Sequence, residues 1–83
     1  MGEGTPRVEL FHGTNDPDSA EVRRRVTELE LLDQVRFRNV VYEEVTRDLT
    51  ARGGSGPPAV WDGERLHEGK AASLAVIEGL SRR

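Results

Sequence analysis

The sequence predicts a single α/β domain with a four-stranded mixed sheet, and three observations predict it. The chain opens with an alternating apolar run, a helical apolar stripe and a second β-rich run, which is a strand-helix-strand unit. Asp62-Gly63 separates two short apolar runs, the pattern of a tight hairpin whose turn needs positive φ. The chain closes on an apolar stripe at helical spacing.

Residues 1–6 are rich in glycine and polar groups and are expected to be a flexible leader. In residues 7–12, Val8 and Leu10 alternate with charged neighbours and run into Phe11, which predicts a strand. Asp16-Pro17 predicts a helix start, with Asp16 as the N-cap and Pro17 at the first helical position. Asp18 and Glu21 then suit the positive end of the helix dipole. Val22, Val26, Leu29 and Leu32 carry that helix to about Asp33. Val35 to Tyr42 is β-branched and aromatic and predicts a second strand.

Glu43 to Arg52, with Val45 and Leu49 four apart, predicts a short polar helix stopped by Gly53-Gly54. Ser55-Gly56-Pro57-Pro58 is a rigid loop. Ala59-Val60-Trp61 and Arg65-Leu66-His67 are the hairpin strands, and Lys70 to Leu80 is a helix with Ala71, Leu74, Ile77, Ala75 and Leu80 on one face. The domain is expected to span residues 7–80, followed by a short tail over 81–83. The first strand-helix-strand unit is expected to make a parallel crossover, and the hairpin adds an antiparallel pair.

Composition excludes several function classes. The 83 residues contain no cysteine, so disulfides, thiolate metal sites and thiol catalysis are ruled out. Charged residues make up 33% of the chain with a net charge of −3, a solvated surface rather than a nucleic-acid footprint. The one basic run, Arg23-Arg24-Arg25, is expected to form helix-face ion pairs, Arg25 with Glu21 and Arg24 with Glu28. No apolar stretch approaches the roughly 20 residues that span a bilayer, and the N-terminus has no secretory signal pattern. A cytoplasmic protein with neither membrane nor nucleic-acid partners is expected.

Three segments then carry a family likeness. Val8-Glu9-Leu10-Phe11 looks like the first strand of glutaredoxins, and Asp16-Pro17-Asp18-Ser19 stands where they carry Cys-Pro-x-Cys. Ser55-Gly56-Pro57-Pro58-Ala59-Val60-Trp61 looks like their Thr-Val-Pro-x-Val-Phe segment, with Pro58 matching the cis-proline and Asp62-Gly63 the turn that follows. Over roughly residues 7–80 the chain resembles the glutaredoxin-like branch of the thioredoxin fold, although its interval between first helix and second strand is long. The resemblance implies a βαβαββα order, with helices packed on both faces of the sheet.

It also implies how the family's chemistry fails here. Glutaredoxins attack a disulfide with a thiolate held at the first helix N-terminus. Asp16 and Ser19 stand at the two sulfur positions, so Asp16, Pro17, Asp18 and Ser19 form a vestigial active site. Of the family's glutathione anchors, the backbone N–H before the cis-proline is missing, because Pro57 has none. No residue of Glu68-Gly69-Lys70-Ala71 fits the γ-glutamyl contact. Arg47 or Arg52 is left to meet the glycine carboxylate, which implies weak glutathione binding at most.

His12, Arg47, Arg52, Pro57 and Pro58 are the candidate ligand or peptide groove. His12 and His67 fall on strands separated by one other, too far apart to share a metal, and no metal site or cofactor is expected. Trp61 is expected to anchor the core. The expected function is a redox-inactive, non-catalytic binding or protein-interaction module. The alternative is a glutathione-binding or glutathione-transferase-like activity using Ser19 with a separate helical partner.

Overall fold

The computed structural model describes residues 8–82. Its elements are β1 (Val8–His12), α1 (Pro17–Glu28), β2 (Val35–Asn39), α2 (Glu43–Ala51), β3 (Ala59–Trp61), β4 (Leu66–Glu68) and α3 (Lys70–Ser81). They form a mixed α/β architecture with a sheet of order β2-β1-β3-β4. β1 and β2 run parallel, Val8 opposite Val35 and His12 opposite Asn39. β3 lies antiparallel to both β1 and β4. The expected leader falls outside the described residues.

Side-chain alternation along the strands makes two layers of core. Val8, Leu10, Val35 and Val60 point to one face, where Val22 and Val26 of α1 and Ile77 and Leu80 of α3 cover them. Phe11 and Ala59 point to the other, where Val45 and Leu49 of α2 cover them, with Trp61 and Leu66 alongside. Helices therefore pack on both faces of the sheet.

Several boundaries and the buried stripes of α1 and α3 differ from expectation, and β4 covers Leu66–Glu68 where Arg65 to His67 was expected. α1 stops at Glu28 rather than near Asp33. Glu30 takes a left-handed φ of 58°, the Leu31 N–H bonds the Val26 carbonyl and the Glu30 N–H bonds that of Thr27. Those two bonds make a Schellman motif, with buried Leu31 packed in the same cluster as Val26. Leu32, expected in the core stripe, is exposed. β2 ends at Asn39 instead of Tyr42: the Val41 N–H turns onto Asn39 Oδ1 and the Tyr42 N–H onto the Asn39 carbonyl.

α2 ends at Ala51, with Arg52 as its cap. In the hairpin, Trp61 pairs with Leu66, so Gly63-Glu64 occupies the tip and Asp62 stands before it. Gly63 has φ 103°, and Asp62 Oδ1 accepts the N–H groups of both Glu64 and Arg65. In α3 the buried stripe is Ser73, Ile77 and Leu80, while Ala71 and Ala75 are exposed. That helix runs one residue into the expected tail.

The ion pairs of α1 also differ in part. Arg24 meets Glu28 at 3.6 Å as expected, but Arg25 meets Glu28 and Glu78. Glu21 instead lies 3.3 Å from Lys70, tying α1 to α3.

Candidate functional site

β1 delivers His12 to the start of α1 across a four-residue loop whose polar groups are tied together. Ser19, fully buried in the first turn, accepts the Gly13 N–H at 3.0 Å and donates its hydroxyl to Asp16 Oδ2 at 2.6 Å. Asp16 is the N-cap by position, but its side chain binds no helix amide. Expected capping by the Asp16 carboxylate is therefore replaced by this side-chain pair, in which Ser19 uses the oxygen that a cap would offer the backbone. Gly13 permits the close fit: a Cβ there would lie 3.3 Å from Asp16 Cβ and 3.4 Å from Pro57 Cγ.

The same contacts bring the Pro57 loop against the helix start. The Pro57–Pro58 bond is cis, and the buried Pro58 carbonyl accepts the Gly69 N–H at 2.9 Å, joining the loop to the start of α3. Pro17 and Asp18 are exposed, Asp18 at 3.9 Å from Lys70.

His12 is buried and engaged. Arg23 Nη1 donates to the Gly13 carbonyl at 2.8 Å and reaches His12 Nδ1 at 3.0 Å. Guanidinium groups only donate, so Nδ1 accepts and the neutral ring carries its proton on Nε2. Burial, and then the Arg23 charge, push the His12 pKa below its ordinary 6.5. Phe37 stands edge-on to the ring at a centroid distance of 5.4 Å.

Arg47 and Arg52 belong to the other face of the sheet, with α2. Arg47 is exposed beside Glu43 and borders a shallow hollow of about 290 Å³ with Glu44, Asp48 and Ala51. Arg52 joins a four-charge cluster: Arg38 pairs with Glu9 and Asp48, and Arg52 with the same two carboxylates. Arg52 Nη1 lies 3.3 Å from Glu9 Oε2 but is not aimed at it as a hydrogen bond, so this contact is ionic. The Arg52 guanidinium also sits 4.9 Å from the half-buried Trp61 ring and 5.6 Å from that of Phe11. The groove residues thus divide, with His12, Pro57 and Pro58 near the start of α1 and the two arginines with α2.

The charge cluster was not expected from sequence, because it needs the register that sets Arg38 beside Phe11 on the neighbouring strand. Only Asp48 and Arg52, four apart at the end of α2, could have signalled it. No group of three or more His, Cys, Asp or Glu able to hold a metal occurs among the described residues. His67 binds Asp62 at 2.7 Å instead, which with the two turn amides holds the Asp62 carboxyl down at about 2. Among the described residues, no helix is long and apolar enough to cross a membrane. Compared with protein-family models, with curated proteins and with solved structures, the chain matches none.

Proposed function

We propose that this chain is a cytoplasmic, redox-inactive glutaredoxin-like domain of the thioredoxin fold that serves as a non-catalytic protein-interaction module. The sheet order, the parallel β1–β2 pair and the junction of the α1 start with the Pro57–Pro58 loop support the fold assignment. One observation carries the function. Where the resemblance expects a reactive thiolate, the Ser19 hydroxyl accepts the Gly13 N–H and donates to Asp16, and the chain has no sulfur nucleophile to replace one. A helix start closed in this way offers a surface and no reacting group.

Nothing favours the transferase-like alternative: the Ser19 hydroxyl has no exposure and its proton is already directed at Asp16. Glutathione titrated to millimolar concentration, followed by backbone amide shifts, tests the choice. No saturable shifts at Gly13–Ser19 are expected; saturable shifts there would transfer the assignment to a glutathione-using protein. Capture of a specific partner from lysate, identified by mass spectrometry and reproduced with the purified partner, then tests the interaction role directly. A domain that retains nothing reproducibly would end it.

A further inference from the structure

Four large apolar side chains among the described residues are exposed, and all four fall in one segment of the chain. They are Leu32, Phe37, Val41 and Tyr42, at 59%, 36%, 67% and 62% exposure. Scattered singly they would mean little, but together they bracket β2, an edge strand of the sheet. The turn after β2 is rigidly built: Asn39 accepts the Val41 and Tyr42 N–H groups, and Thr46 Oγ1 donates to the Val40 carbonyl at 2.6 Å. Val41 and Tyr42 are therefore held out on an ordered backbone.

Among the described residues, the open side of β2 also has unpaired backbone groups. The Val8 N–H bonds the Gln34 carbonyl, and the Val40 N–H bonds the His12 carbonyl. In a parallel ladder alternate residues bond to the same side, so Arg36 and Arg38 also turn toward β1. Val35, Phe37 and Asn39 turn their N–H groups to the open edge, and Val35 and Phe37 their carbonyls as well. Such an edge is a template for an added strand.

Charge selects the occupant. Residues 34–41 contain two arginines and no acid, in a chain of net charge −3. Arg38 is neutralised by Glu9 and Asp48, whereas exposed Arg36 has no carboxylate within 4.0 Å among the described residues. A second copy of the chain fits poorly. Antiparallel registers that pair Phe37 with itself or with Val35 set Arg36 against Arg38 or Arg36 of the other copy, and opposed like charges destabilise a strand pair.

We infer that the β2 edge accepts an extended peptide segment of a partner protein, with carboxylates on the Arg36 side and apolar residues on the Phe37 side. The assignment rests on the interaction role proposed above and names the chemistry of its partner. The probe is a blocked seven-residue peptide of alternating Glu and Val, added to the isotope-labelled chain. Expected are dose-dependent amide shifts at Val35, Phe37 and Asn39, and slower hydrogen exchange at the Phe37 amide. Arg36→Glu, at an exposed position, should keep the circular dichroism spectrum and weaken binding about fivefold, the scale of a lost and reversed surface ion pair.

No shifts along residues 35–39, or equal shifts with a Lys/Val peptide, would overturn the assignment. So would sedimentation showing a dimer whose formation protects the same amides without peptide. Lysate capture uses no peptide, so a partner retained there while the probe fails would sink the edge site and leave the interaction role standing.

Discussion

Ser19 and Ser73 are both fully buried, yet replacing each with alanine should move stability in opposite directions. Ser73 lies in the buried stripe of α3 and its Oγ has no hydrogen-bond partner among the described residues. A buried hydroxyl without a partner costs about 1–3 kcal/mol. Ser73→Ala removes that cost and gains about 0.5 kcal/mol of helix propensity. The space of one oxygen left behind takes back only ~0.3 kcal/mol. A net gain of about 1–3 kcal/mol follows, and for a domain of this size each kcal/mol raises the Tm by about 4–8 °C.

Ser19→Ala does the reverse, because it orphans the buried Gly13 N–H and breaks the bond to Asp16. A loss of about 2–4 kcal/mol is expected. Urea unfolding followed by circular dichroism, with Trp61 fluorescence as a second probe, reads both, and an unchanged m-value assigns the difference to stability. A destabilised Ser73→Ala would refute the reasoning, since the hydroxyl would then have a partner such as a buried water.

Three further outcomes follow from the same contacts. The folded His12 pKa lies below 6.5, so between the two values the unfolded chain binds more protons; stability should be complete above about pH 6.5 and fall on acidification below it. His12→Gln should flatten that part of a stability profile, and an unchanged profile would show that His12 does not set it. Asp62, held at about 2 against 3.8 when free, contributes stability above pH 3.8 that is lost toward pH 2; Asp62→Ala should lower the Tm at neutral pH and remove this acid limb. Gly54→Ala would bring its Cβ within 2.8 Å of Leu49 Cγ and Leu66 Cδ2 and should cost about 1–3 kcal/mol. Gly53→Ala has open space and pays only for its φ of 91°, so thermal melts that rank it the worse of the two would contradict this packing.

Periodicity was enough for the order and type of every described element, because each strand and helix shows its apolar side to a core. It failed where one residue acts against its type. Glu30 ends α1 in a conformation that glycine usually supplies, so the apolar spacing through Leu29 and Leu32 appeared to continue the helix. Ser73 counts as polar in any sequence pattern, so the expected face of α3 held Ile77 and Leu80 but took in exposed Ala71 and Ala75 and left Ser73 out. At the candidate site, the family likeness located Asp16, Ser19 and Pro58 by position. What these side chains do depends on Gly13 having no Cβ and on Arg23 reaching back across the loop. Neither contact has a sequence period.

The two ends of β2 and the start of α1 show where this small chain has spent its limited packing. At the helix start even the groups that could have faced a ligand are taken up internally: His12 by Arg23, Ser19 by Asp16 and Gly13. On the α2 face four charges neutralise one another beneath two aromatic rings. Beside β2 the opposite holds. Burying a large apolar side chain is worth about 1.5–3 kcal/mol, and a domain of this kind is stable by only about 5–15 kcal/mol. Leaving Leu32, Val41 and Tyr42 largely in water therefore forgoes about 3–5 kcal/mol, close to the lower end of that margin. Internal satisfaction at one site and exposed apolar and edge backbone groups at another are the contrast on which the proposed β2 docking surface rests.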